Sequence, residues 1–159
     1  MKKIAILILV LLNIGCDQIS KKMVRNNIEP HEYVQLIKDN FILTNVENKG
    51  AMLGFGESLP PMLKIIFLQA LPVIVLIILL VNILRKNHLN KWLVIAFSFV
   101  IGGGIGNLID RIAHGKVTDF FLIKLGFFKT GIFNMADVSV TLGVIFIFIL
   151  SIRNKKLDF

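Results

Sequence analysis

Four long apolar stretches constrain the fold of this chain more than any other feature of its sequence. A helix needs about 20 apolar residues to cross the hydrocarbon core of a bilayer. Residues 62–84, 92–112 and 136–152 meet this requirement. Residues 4–24 meet it only if the polar residues in the second half of the stretch face protein rather than lipid. We therefore predict an all-α membrane protein of four transmembrane helices, forming a single domain over residues 1–159.

The first stretch also admits a second interpretation. Lys2 and Lys3 followed by apolar residues describe a cleavable signal peptide, and Ile14-Gly15-Cys16 resembles the end of a lipobox. However, the lipobox position three before the cysteine is normally apolar, whereas here it is Asn13. Most of the chain after Cys16 is also membrane-spanning. We therefore favour an uncleaved first helix.

The distribution of positive charge predicts the orientation of the helices. The tips at residues 2–3, 85–91 and 153–158 hold eight basic residues and one acidic residue. The rest of the chain holds ten basic and nine acidic residues. Basic tips of this kind stay in the cytoplasm. Both termini are therefore predicted to be cytoplasmic, with residues 25–61 and 113–135 outside. Because topology accounts for the net charge of +8, we expect no nucleic-acid partner.

The outer segments should contain a small extracytoplasmic β-rich element. Tyr33 to Ile37 and Phe41 to Val46 are short β-prone runs around a polar turn, which predicts a hairpin. The second outer segment, residues 120–128, is predicted to be an unusually apolar loop. Such a loop either lies on the membrane surface and touches a lipidic substrate or packs over the helix bundle, and the sequence favours neither.

Four acids fall near the predicted outer ends of the helices: Asp17, Asp110, Asp119 and Asp137. Ionisable residues at membrane depth are costly and usually functional. Asp110 precedes Arg111 and is interpreted as part of a structural ion-pair network. Asp137 opens the last helix, with Asn134 as its predicted N-cap. Together, Asp119 and Asp137 could share one proton, so that one carboxylate activates water while the other polarises a carbonyl group.

The sequence lacks the residue patterns that other peptidase chemistries require. The three histidines are scattered and no His-Glu-x-x-His motif occurs, so we expect no metal and no cofactor. No Gly-x-Ser-x-Gly motif occurs, and the neighbours Ser20 and Lys21 point in different directions on a helix. The single Cys16 excludes an internal disulfide. Gly102 and Gly106 form a small-xxx-small pattern that allows close helix packing beside the acids.

Two non-enzymatic hypotheses compete with a peptidase. A small ion-binding or proton-conducting bundle would use the same acids as a relay, but it would spread them across the membrane depth. A structural subunit with interfacial salt bridges would need more basic partners near Asp119 and Asp137 than Lys116 and Lys124 supply. The one-sided distribution of acids favours a catalytic site.

Five short motifs resemble those of the lipoprotein signal peptidase (signal peptidase II) family, in the family's order and over nearly the whole chain. They are Asp17-Gln18-Ile19-Ser20-Lys21, Asn48-Lys49-Gly50-Ala51, Gly106-Asn107-Leu108-Ile109-Asp110-Arg111, Val117-Thr118-Asp119-Phe120 and Phe133-Asn134-Met135-Ala136-Asp137. Any one of them is a weak signal, whereas all five in order are specific.

The resemblance implies an aspartic endopeptidase of the bacterial cytoplasmic membrane with its active site near the outer face. Asp119 and Asp137 would be catalytic. Supporting or substrate-binding residues would be Asp17, Asn48, Gly50, Asn107, Asp110, Arg111 and Asn134. The implied substrates are diacylglyceryl-modified prolipoproteins, cut before the lipidated cysteine, and the implied inhibitor is globomycin. Membrane lipids would be partners, and no metal would be required.

Overall fold

Four long helices make up most of the computed structural model, which describes residues 2–51, 54–86 and 89–153. They are α1 (Lys3–Asn27), α2 (Pro61–Arg85), α3 (Lys91–His114) and α4 (Met135–Arg153), and each is long and apolar enough to cross a membrane. Each of the four predicted helices is observed, and each extends one to three residues beyond its predicted ends. The basic tips used for the orientation lie partly outside the described residues, at 87–88 and 154–158.

Local sequence sets the ends of these helices. The side chain of Asn90 accepts a hydrogen bond from the Trp92 backbone and caps the start of α3. Gly115 ends α3 in the left-handed conformation, with φ of 70°, which glycine adopts without steric cost. Within α2, residues Ile66–Ala70 form a π-helical turn. These signals fix both ends of α3.

The segments that follow α1 and α3 form a four-stranded antiparallel sheet. Its strands are β1 (Tyr33–Ile37), β2 (Phe41–Asn48), β3 (Val117–Leu125) and β4 (Phe128–Lys129), in the order β1-β2-β3-β4. The predicted hairpin is confirmed as β1 and β2. The small sheet beside four helices also confirms the predicted fold class.

The prediction of a loop over residues 120–128 was wrong, because most of this segment is strand β3. Its run of β-branched and aromatic residues pairs with β2, so that Asp119 lies opposite Val46. Phe120 and Leu122 are buried, whereas Phe127 at the tip is fully exposed. The packing interpretation therefore holds for the body of the strand. Contact of the tip with the membrane stays a prediction.

Glycines let α3 approach α1 and α4 closely. A Cβ added to Gly102 would lie 2.6 Å from the Asn13 side chain of α1, and one added to Gly106 would lie 2.6 Å from Asp17 Oδ2. Between them, Gly103 faces the Ala136 carbonyl of α4. Side chains at these three positions would separate the helices, so the glycines bring polar residues of α1, α3 and α4 within hydrogen-bond distance.

Candidate active site

The start of α4 is held by a reciprocal cap. The Asn134 side-chain oxygen accepts from the Asp137 backbone N–H at 3.0 Å, and Asp137 Oδ2 accepts from the Asn134 backbone N–H at 3.0 Å. This arrangement satisfies two N–H groups that a helix start otherwise leaves unpaired. It confirms the predicted N-cap and fixes the Asp137 carboxylate at the helix end where the dipole favours negative charge.

Asp119 projects from β3 into the same region and is almost completely buried. Asn134 Nδ2 donates to its Oδ1 at 2.6 Å, and Asn48 Nδ2 donates to its Oδ2 at 3.0 Å. Burial raises the pKa of Asp119 to about 6, since a charged carboxylate loses its water there. The two hydrogen bonds oppose this rise in pKa, whereas the nearby charge of Asp137 adds to it.

Two asparagine side chains connect the two carboxylates. Asn134 Nδ2 donates both to Asp119 and, at 3.1 Å, to Asn107 Oδ1. Asn107 Nδ2 in turn donates to Asp137 Oδ1 at 2.8 Å. Each carboxylate oxygen of the pair therefore accepts one hydrogen bond from a positioned N–H group. The network brings a strand and the ends of two helices to one point.

Behind Asn107 lies a second, fully buried network that joins α1 to α3. Lys21 Nζ lies 2.8 Å from Asp17 Oδ2 and 3.5 Å from Asp110 Oδ2, and all three side chains are inaccessible to solvent. Arg25 also approaches Asp110, at 3.5 Å. Asp110 thus takes part in an ion-pair network, with basic residues of α1 as its partners.

This second network also holds other backbone elements of the site. Asp17 Oδ1 accepts from the Ala136 backbone N–H at 2.9 Å, which ties α1 to the first turn of α4. Asp110 Oδ2 accepts from the Thr118 backbone N–H at 3.1 Å, which ties α3 to the strand residue before Asp119. Both acids therefore position the elements that carry the candidate pair.

The segment after β2 closes over the opposite side of the site. Asn48 forms a tight turn in which its Oδ1 accepts from the Gly50 backbone N–H at 2.9 Å. Arg111 Nη2 donates to the Gly50 carbonyl at 2.9 Å. A Cβ at Gly50 would lie 2.6 Å from backbone atoms of Gly54, so only glycine fits there. The Nε of Arg111 is buried with no hydrogen-bond partner among the described residues.

The structure thus brings all nine sequence-predicted residues together in one region. Five form the connected network around the two carboxylates: Asn48, Asn107, Asp119, Asn134 and Asp137. Gly50 and Arg111 adjoin it, and Asp17 and Asp110 lie behind it. Sequence reasoning missed the importance of Lys21, although its position one helical turn after Asp17 signalled an ion pair. It also missed Arg25, whose guanidinium donates to Thr118 Oγ1 at 3.0 Å.

Chemically, the arrangement combines two acids of unlike surroundings with several fixed N–H donors. Within residues 2–51, 54–86 and 89–153, no group of three or more histidine, cysteine or acidic side chains is placed to hold a metal ion. Of two carboxyl groups that interact electrostatically, one can accept a proton from a water molecule while the other donates a proton to a carbonyl group.

Comparison with known proteins gives concordant results. Residues 8–153 match the family model described as signal peptidase (SPase) II. The lipoprotein signal peptidase of Syntrophus aciditrophicus is 31% identical over 98% of both chains. That of Enterococcus faecalis is 34% identical over 91% of this chain and 86% of its own. A solved structure, described as a bacterial membrane enzyme studied by the in meso method at 2.3 Å, superposes with a TM-score of 0.85. It is 26% identical and covers 98% of this chain and 92% of that chain.

Proposed function

The chain belongs to the signal peptidase II family, and on this premise we propose that it removes signal peptides from prolipoproteins as an aspartic endopeptidase. The observation that carries the aspartic mechanism is the pair Asp119 and Asp137, joined through Asn134 and Asn107. The other pair of neighbouring buried acids in the described part of the chain, Asp17 and Asp110, is instead paired with the cations Lys21 and Arg25.

The two acids take different parts in the reaction. In the reactive form Asp119 holds a proton. Burial favours this form by raising the pKa of Asp119 to about 6, although the ionised form prevails at neutral pH. A protonated carboxyl group still has oxygen lone pairs for its two amide donors. Asp137 accepts a proton from a water molecule, which attacks the scissile carbonyl carbon. Asp119 donates its proton to the carbonyl oxygen as the tetrahedral intermediate forms. When the intermediate collapses, the C–N bond breaks and the proton held by Asp137 passes to the leaving amine. Asp119 takes back a proton from one hydroxyl group of the intermediate, whose oxygen becomes the carbonyl oxygen of the new carboxyl group.

The substrate proposed for this site is a prolipoprotein whose cysteine already carries diacylglycerol, and the bond cut is the one before that cysteine. A signal peptide is an apolar helix that reaches the enzyme through lipid. Its cleavage point lies at the outer membrane interface, where the acids are proposed to lie. The protein then lies in the bacterial cytoplasmic membrane with both termini on the cytoplasmic side. Membrane lipids surround the exposed apolar helix faces, and globomycin inhibits by occupying the site.

The test is cleavage of a diacylglyceryl-modified prolipoprotein by purified protein in detergent. Asp119→Asn and Asp137→Asn keep the shape of each side chain and remove its ionisable carboxyl group. Each should lower the rate about 100- to 10,000-fold, the usual contribution of general acid–base catalysis. Mass spectrometry of the products gives the bond that is cut, and globomycin should block the wild-type reaction.

The matched control is Asp39→Asn, which removes an exposed carboxylate in the β1–β2 turn. This carboxylate accepts a hydrogen bond from Gln35 at 2.7 Å and from no other described residue. It should cleave at the wild-type rate. Normal cleavage by folded Asp119→Asn and Asp137→Asn proteins would show that other groups perform the chemistry. An inert wild-type protein would instead contradict the peptidase assignment.

A further inference from the structure

Lys21 is the one completely buried cation in the described part of the chain, and the reaction proposed above gives it no task. Besides its ion pairs with Asp17 and Asp110, its Nζ donates to Asn107 Oδ1 at 2.8 Å. Because its side chain has no access to solvent, Lys21 cannot touch substrate. Its direct contact with the network around the two carboxylates is the hydrogen bond to Asn107.

An ammonium group has only donors, so whatever it contacts must accept. Lys21 therefore holds the oxygen of the Asn107 amide on its own side, and Asn134 Nδ2 donates to the same oxygen at 3.1 Å. The amide nitrogen is left facing Asp137 Oδ1, to which it donates at 2.8 Å. The opposite rotamer would place two nitrogen donors against each other and an oxygen against the Asp137 carboxylate.

We propose that Lys21 is a positioning residue for the peptidase reaction, which fixes the orientation of the Asn107 amide so that it donates to Asp137. The inference rests on the proposed function of Asp119 and Asp137. Without the lysine, the amide can turn over, and the Asp137 carboxylate loses the donor that holds it in the position for accepting a proton from water.

A purely structural role for Lys21, as counter-charge to two buried acids, must be separated from this one. Lys21→Met alone would leave Asp17 as an unpaired buried charge and could fail to fold. The double variant Asp17→Asn/Lys21→Met removes both charges, and the new amide oxygen can still accept from the Ala136 backbone N–H. Its matched control is Asp17→Asn/Arg25→Met. This control also removes one acid and one base of α1, but Arg25 does not contact Asn107.

Both double variants are assayed beside wild type, Asp119→Asn and Asp137→Asn with the same prolipoprotein. The Lys21 double variant should have a kcat about 100-fold below that of the Arg25 double variant, the cost of a misplacement near 1 Å. KM should be the same in both, because Lys21 does not contact substrate. Equal kcat values in the two variants, or a loss confined to KM, would overturn the proposal.

A second measurement does not depend on activity. In protein labelled with ¹⁵N-asparagine, the Asn107 side-chain resonances are assigned by their loss in Asn107→Ser. The proton donated to the Asp137 carboxylate should be shifted downfield in wild type and in the Arg25 double variant, and lose this shift in the Lys21 double variant. A shift that persists without the lysine refutes the positioning role even if the peptidase assignment stands. A loss of the shift in an inert enzyme leaves that role intact and contradicts only the proposed function.

Discussion

The buried carboxyl group of Asp119 offers a test of the site that requires no substrate. It is 4% exposed, beside a second acid, and its pKa lies at about 6. Asp119→Asn replaces the ionisable group by a neutral one of nearly the same shape. The variant should be inactive and, at neutral pH, more stable than the wild-type protein, because an ionised Asp119 no longer has to be buried.

The magnitude follows from the difference between the folded pKa of about 6 and the ordinary value of 3.8. At about 1.36 kcal/mol per pKa unit, ionisation of the buried Asp119 lowers the free energy of unfolding by about 3 kcal/mol. Below pH 3.8 the Asp119 carboxyl is protonated whether the protein is folded or not. Between that pH and about 6 it ionises only when unfolded, so the wild-type protein loses stability as the pH rises. Above about 6 the loss is complete.

One hydrogen bond offsets part of this gain. Both oxygens of Asp119 accept from amide nitrogens, those of Asn134 and Asn48. The new amide group has one oxygen and one nitrogen, so one of these donors loses its acceptor at a cost of about 1 kcal/mol. This cost does not depend on pH. The net stabilisation at pH 7 should therefore be about 2 kcal/mol, and the pH dependence is the diagnostic part.

The assay is reversible unfolding by SDS in mixed micelles at a series of pH values from 3.5 to 7.5. The difference in free energy of unfolding between Asp119→Asn and wild type should grow by about 3 kcal/mol across this series and then remain level. Asp39→Asn, in an exposed turn, reports the general effect of removing one carboxyl group. A difference that does not change with pH, or that shrinks as the pH rises, would refute the burial argument.

Three further predictions concern packing and polar groups. Gly106→Ala should destabilise the protein by about 1–3 kcal/mol and lower activity, because its Cβ would lie 2.6 Å from Asp17 Oδ2. The matched control is Gly15→Ala, whose Cβ meets nothing within 4 Å, and thermal unfolding compares the two variants. Thr44→Val should stabilise by about 1 kcal/mol in the same measurement, since the buried Thr44 hydroxyl has no partner among the described residues. Lys116→Met breaks an exposed ion pair and should change stability by less than about 1 kcal/mol, so a larger loss would contradict its surface character.

Much of the fold could be predicted because the bilayer restricts what apolar sequence can do. Length and hydrophobicity alone located all four helices to within three residues. The hairpin was equally clear, since two β-prone runs flank Asp39 and its polar neighbours. Strand β3 was missed because its pairing partner, β2, is distant in sequence, and no local signal distinguishes a paired apolar strand from an apolar loop. Its register, with Asp119 opposite Val46, depends on that partner.

Part of the candidate site could likewise be predicted from the sequence, and part could not. Asp119 and Asp137 could be singled out because acids near helix ends in a membrane protein are costly. The cap made by Asn134 was also predictable from its place before Asp137. The contact of Lys21 with Asn107 was not, since it depends on the rotation of α1 about its axis relative to α3. That rotation is set by the close approach at Gly106, whose depth only the packed structure reveals.

The ion pair within α1 has a consequence for how the protein enters the membrane. Asp17 and Lys21 lie one turn apart on the same helix, 2.8 Å from each other, whereas Asn107 and Asp110 belong to a helix that the ribosome makes later. A lone Asp or Lys at the centre of a spanning helix costs about 2.5–3.5 kcal/mol on insertion scales. Because the two charges neutralise each other within α1, the first helix can be inserted before α3 exists. Replacing Lys21 alone, which leaves Asp17 unpaired within α1, would therefore impair biogenesis as well as the finished site.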